Sequence, residues 1–147
     1  MHDLAHFRKS QKELLSLIKD LQSLMTDNMV EMSRNSMTAF QLMCELGIRI
    51  QEHLGEADRF VYPYLLLHED PRVQSIAWGF INRENPLRHS YVGYYMKWLK
   101  NFDFAFNQDL IRDSQEIFEL VAERIERENR ELFPWLEELG LIPKRRG

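Results

Sequence analysis

"HLGEADRFVYPYL" (His53–Leu65) and "RIERENRELFPWL" (Arg124–Leu136) say nearly the same thing twice, at an offset of 71 residues. Ile50 aligns with Val121, Leu54 with Ile125 and Val61 with Leu132. Tyr62-Pro63-Tyr64-Leu65 then aligns with Phe133-Pro134-Trp135-Leu136. Both stretches repeat apolar residues at three- and four-residue steps, the period of one helix face. Both also place a proline inside that pattern. A proline in a helix interior loses a hydrogen bond and clashes with the carbonyl four residues back, at a cost of about 3 kcal/mol. Two helices that accept this at equivalent places are expected to use the same local geometry. A kink or a tightened turn, plugged by the flanking aromatics at one end of a bundle, is the expected form.

Helical periodicity extends over nearly the whole chain, and glycine and proline are scarce. The first segment runs from about Asp3, a candidate N-cap, to Met25, with an apolar stripe of Phe7, Leu14, Ile18, Leu21 and Met25. A loop is expected to follow, with Met29 and Met32 expected to fold back onto the core. The second segment runs from Ser36 to Leu67 on the stripe Phe40, Met43, Gly47, Ile50, Leu54, Ala57, Val61, Leu65. Asp70 then Pro71 is a helix start, with the acid as N-cap and the proline where its missing N–H costs nothing. That third segment reaches Lys100, and Pro86 is expected to kink or divide it. The fourth runs from Asp109 to Leu139, closed by Gly140 and Pro143. The expected fold is all-α: an antiparallel up-down four-helix bundle with proline-kinked helices, one domain over residues 1–147 with a basic tail at 143–147.

A net charge of −4 argues against a nucleic-acid binder that works by neutralising phosphates. No run of about 18 apolar residues exists to span a membrane, and "MHDLAHFRKSQ" lacks the apolar core of an export signal. The one cysteine, Cys44, excludes an internal disulfide and fits a reducing, cytoplasmic compartment. Its setting in "FQLMCELGI" predicts a buried structural thiol. There is no H-E-x-x-H, E-x-x-H, glycine-rich phosphate loop, G-x-S-x-G or C-x-x-C, so no catalytic motif supports an enzyme.

The two repeats resemble the hemerythrin-like, HHE cation-binding domain family. That family repeats a histidine, acids four and five residues on, then an apolar–aromatic–proline step. The resemblance covers nearly the whole chain as four helices and is strongest in the repeats. It implies a bundle whose core holds two iron ions on five histidines and two carboxylates drawn from all four helices. Imidazole suits iron, and carboxylates neutralise the paired cations.

This chain departs from the pattern at most of the implied positions. His53 stands as expected, but Ala57 replaces the carboxylate, flanked by Glu56 and Asp58. Arg124 occupies the second repeat's histidine position, followed by Glu128 and then by Asn129 in place of an acid. Gln11 replaces the histidine before "KELLSLIKDL". In "NPLRHSYVGYY", Asn85 and His89 stand where the family has two histidines. Arg124 is always charged and would repel a dication at a few ångströms by several kcal/mol.

The expectation is therefore a buried polar network in place of the metals, drawn from Arg124, Glu128, Asp58 or Glu56, Gln11, Asn85, His53 and His89. The expected function is non-enzymatic and regulatory, with no cofactor and with a protein partner, a transcription or signalling component. "AFQLMCELGIRIQEH" and "LVAERIERENREL" are loosely similar to the bacterial anti-sigma regulator family, which agrees with that class of partner. The alternative is a cation-binding protein with one iron or zinc on His53, Glu56, His89 and Glu128, for sensing or storing a metal, O2 or NO. Tyr91, Tyr94, Tyr95 and Trp98 form an aromatic band, and "NFDFAFNQ" (Asn101–Gln108) a phenylalanine-rich loop. Each is either core or interface. His2, His6 and His68 read as solvated.

Overall fold

The computed structural model describes residues 5–25, 33–101 and 108–142. Asp3, Met29, Met32, the loop residues 102–107 and the basic tail lie outside the described residues. The elements are α1 (Ala5–Leu24), α2 (Ser33–Glu56), α3 (Tyr62–Leu66), α4 (Pro71–Tyr94), α5 (Gln108–Arg127) and α6 (Phe133–Glu138). Five-residue π turns join α2 to α3 (Ala57–Val61) and α5 to α6 (Glu128–Leu132), and a third extends α4 (Tyr95–Leu99). The chain thus forms four long helical rods, with no strand among the described residues. α1 packs on α2 and α5, and α4 packs on α2, α3 and α5, giving a helical bundle. No helix among the described residues is long and apolar enough to cross a membrane.

The ends follow local chemistry. Asp70 caps α4 by accepting the Arg72 backbone N–H at 2.9 Å. Gly140 takes a φ of 75°, a conformation that costs glycine nothing. That lets the Leu141 N–H return to the Leu136 carbonyl at 2.9 Å and close α6.

The repeated proline step, expected as a kink or a tightened turn, is solved by a turn that widens instead of tightening. Tyr62 N–H bonds to the Ala57 carbonyl and Phe133 N–H to the Glu128 carbonyl, five residues back in each case. The extra residue lets each rod restart, so Pro63 and Pro134 fall in the first turn of α3 and α6, where no N–H is required. Pro86 behaves differently. α4 runs through it without the expected division. Pro86 and Asn82 are both exposed, so the hydrogen bond that the proline cannot make falls on the solvent side of the helix.

Buried side chains form two apolar clusters. One holds Leu14, Ile18, Leu21, Met43, Leu46, Ile50, Leu54, Leu87, Tyr91, Phe118 and Ile125 among others. The second holds Phe7, Val61, Tyr62, Leu65, Phe80, Leu132, Phe133 and Leu136 among others. Polar residues stand where the two meet: Gln11 between Phe7 and Leu14, Glu84 between Phe80 and Leu87, and Glu128 between Ile125 and Leu132, with His53 and Arg124 about one turn inside the first cluster. A charged layer therefore divides the core.

Two expectations about side chains change. Cys44 is half-buried rather than buried, and burial raises its thiol pKa. The aromatic band splits: Tyr91 and Tyr94 are core, Trp98 is half-buried and Tyr95 is exposed. The Tyr91 hydroxyl donates to the Met43 carbonyl at 2.6 Å, and its ring lies where a side chain on Gly47 would stand. A Cβ there would come within 2.3 Å of the ring. Gly47→Ala should thus destabilise the fold by about 1–3 kcal/mol by overpacking, read by urea denaturation. Adding Tyr91→Leu should recover part of the loss; an unperturbed Gly47→Ala protein would contradict this packing.

Candidate functional site: a buried charged layer

Glu128 is the centre of the layer. It opens the second π turn and is fully buried. Its Oε1 accepts the Gln11 side-chain N–H at 2.7 Å and lies 2.9 Å from His53 Nε2. Its Oε2 accepts Arg124 Nε at 2.9 Å and lies at the same distance from His53 Nε2. Arg124 extends the chain by donating Nη2 to the Tyr62 hydroxyl at 2.7 Å. Tyr62 donates in turn to Glu84 Oε1, and Arg124 Nη2 lies 3.5 Å from that same oxygen. Arg88 bonds Glu84 Oε2 at 3.1 Å and carries the chain to Asp58 at the surface, at 2.9 Å. On the other side, His53 Nδ1 meets Ser10 Oγ at 2.7 Å. The imidazole stacks on Phe7, with centroids 4.3 Å apart.

The repeat explains which helix supplies what. Arg124 aligns with His53, and Glu128 with Ala57; all four are buried. Of the predicted residues, the structure brings together Gln11, His53, Arg124 and Glu128. It places the rest elsewhere. Asn85 and His89 are exposed and take no part. α4 turns the face Val73, Ala77, Phe80, Glu84, Leu87, Tyr91 inward, one residue away from the face that carries Asn85. Glu56 pairs with His6, a histidine expected to be solvated. Asp58 reaches the layer only through Arg88. Asn129 is half-buried and forms no part of the layer. Ser10, Tyr62, Glu84 and Arg88 are members that the sequence reading missed. The spacing of the apolar residues on α4 was a signal for Glu84.

Burial alone would raise the pKa of Glu128. The adjacent His53 and its hydrogen bond, followed by Arg124 and Gln11, outweigh that and hold the carboxyl down at about 2. Burial would lower Arg124, but Glu128 and Tyr62 raise it well above its ordinary value. Burial raises Tyr62 strongly. Glu84 moves the other way from Glu128: burial lifts it, Tyr62 lowers it in part, and the nearby Asp58 lifts it further.

The donor set does not fit a metal. A carboxylate offers about four lone-pair sites, and Glu128 already serves Gln11, Arg124 and both contacts of His53. Both His53 nitrogens are engaged as well. Among the described residues, no group of three or more His, Cys, Asp or Glu side chains is placed to hold a metal ion. The mononuclear set His53, Glu56, His89 and Glu128 is thus not assembled. Ser10, His53 and Glu128 do follow the order of a nucleophilic triad. Yet Ser10 lies within α1, so its own backbone N–H is spent on the helix rather than offered to an oxyanion.

No family model, curated protein or solved structure matches this chain. The layer's chemistry therefore carries the functional reading.

Two predictions follow from its geometry. Arg124→Leu should cost about 3–5 kcal/mol, because it strands Glu128 in the core; loss of less than about 1 kcal/mol in urea denaturation would contradict the layer's role. Acid should also unfold the protein through Glu128. Its folded pKa, about 2, lies below its ordinary 4.5, so its contribution is complete above about pH 4.5 and disappears as pH falls towards 2, amounting to about 3 kcal/mol. Glu84, raised instead, favours the fold on acidification and offsets part of that slope. Stability measured from pH 6 to 2 should fall in the wild type and fall less steeply in Glu128→Gln.

Proposed function

We propose that the chain is a metal-free bundle of the hemerythrin-like type, up-down and antiparallel, that acts without catalysis as a regulatory domain by binding another protein. Arg124 carries this reading. Its guanidinium supplies beside Glu128 the positive charge and the donors that metal ions would supply in the family that the repeats resemble. His53 and Glu128 touch, but no further ligand of the kind a mononuclear iron or zinc site needs joins them among the described residues, so the cation-binding alternative is the weaker one.

Support for a protein partner comes from the surface between α2 and α4. A cavity of about 550 Å³ is lined there by Gly47, Ile48, Tyr91, Val92 and Tyr95, with Cys44, Gln51 and Glu52 also in its lining. Ile48 is 59% exposed and Val92 50%. An apolar groove between two helices fits the apolar face of a third helix, and the Glu52 carboxylate suits a basic residue beside that face. The looser anti-sigma resemblance makes a transcription component the partner class to test first. A single cysteine and an acidic net charge support a cytoplasmic setting, without nucleic acid or membrane as partners.

Protein expressed in medium supplemented with iron and zinc should retain less than about a tenth of an equivalent of either metal; stoichiometric metal by elemental analysis would overturn the metal-free reading. A photo-crosslinking residue in place of Val92 should capture a helical segment of a different protein in cells. Ile48→Asp should abolish that capture without changing the melting temperature. Capture of a second copy of this chain alone would overturn the partner reading.

A further inference from the structure

A separate cavity of about 340 Å³ opens between α4 and α5, beside the charged layer. Three arginines line it: Arg83 from α4, and Arg124 and Arg127 from α5. Arg124 is held from within, since Nε is bound to Glu128 and Nη2 to Tyr62. Its remaining nitrogen, Nη1, is buried and has no hydrogen-bond partner among the described residues; Arg127 Nε is in the same condition. The Arg124 side chain is only 5% exposed. Arg124 is nonetheless one of the residues that line the cavity.

The arginines are also braced. The guanidinium carbons of Arg124 and Arg127 lie 4.9 and 5.1 Å from the centroid of the Phe80 ring. This gathers like charges: the pKa of Arg127 is lowered first by burial and then by Arg124 and Arg83, against the smaller opposing pull of Glu131 and Glu123. Glu123 is the single carboxylate among the described lining residues, and Pro86, Leu87 and Leu120 form an apolar wall. An anion relieves the crowding of positive charge, and the wall accepts an apolar body attached to it.

We propose that this cavity binds the phosphoryl group of a small phosphorylated molecule, with Arg83, Arg124 and Arg127 as donors and Pro86, Leu87 and Leu120 against its apolar part. Guanidinium forks arriving from two helices suit a tetrahedral oxyanion, which offers three acceptor oxygens where a carboxylate offers two. The proposal does not depend on the protein-binding reading, because the cavity and the apolar groove share no lining residue.

Phenyl phosphate is the probe, titrated by calorimetry at constant ionic strength. Saturable binding is expected with a dissociation constant of about 1 mM or tighter, together with a melting temperature that rises with probe concentration. Arg83→Ala with Arg127→Ala, both outside the layer's hydrogen bonds, should weaken binding at least about tenfold while the circular dichroism stays unchanged. Glu123→Gln, which removes the opposing charge, should tighten it. The proposal is overturned if no saturable binding occurs, if the double arginine variant binds as well as the wild type, if Glu123→Gln leaves the affinity unchanged, or if benzoate binds as tightly as phenyl phosphate.

Discussion

A carboxylate with no exposure to solvent must be neutralised where it stands, and the arrangement of this bundle follows from how Glu128 is neutralised. Moving an ion from water into a protein interior costs several kcal/mol even after relaxation. Glu128 offsets that with hydrogen bonds from three rods: Gln11 on α1, His53 on α2 and Arg124 on its own helix. Each donor must be inward at one level of the bundle, which ties the axial positions of the helices to one another. Apolar packing alone tolerates sliding, since many leucine arrangements are nearly equivalent. A satisfied polar layer between two apolar clusters tolerates far less.

The two halves of the layer are related by the repeat but differ in charge. α2 contributes His53 and leaves Ala57 small; α5 contributes Arg124 and opens its π turn with Glu128. Glu128 and Glu84 already place two buried carboxyls beside the one Arg124 guanidinium, and a carboxylate at position 57 would add a third to the same core. One guanidinium nitrogen of Arg124 has no partner among the described residues, and Arg124 also lines the three-arginine cavity. An internal stability device and the proposed anion site thus share a residue.

The four rods are legible in the sequence because their apolar residues recur at helical spacing, and Asp70 and Gly140 mark ends by local chemistry alone. Gln11, His53, Arg124 and Glu128 are legible as a group because each interrupts an apolar stripe with a polar residue, and the repeat aligns two of them. α4 is where that logic fails. The family pattern draws attention to Asn85 and His89, whereas the apolar spacing around Phe80, Leu87 and Tyr91 turns Glu84 inward. Tyr62 hides for another reason: as an aromatic beside a proline it reads as a plug, and its hydroxyl gains meaning only once Arg124 and Glu84 are placed near it. The π turns hide because hydrogen-bond spacing leaves little trace in residue types. The prolines announce a disturbance without saying whether the turn narrows or widens.

The wide turns also set a rule about chain length. Each residue advances an α-helix by about 100°, so the extra residue in Ala57–Val61 and in Glu128–Leu132 rotates everything after it. Deleting one residue from either segment would restore regular helical pitch and still do harm. In α3 it would swing Tyr62 away from Arg124, and in α6 it would carry Phe133 out from beneath Phe7. Although Asp58, Arg59 and Arg130 are exposed and chemically replaceable, the number of residues between the histidine or arginine of each repeat and its proline is not free to vary.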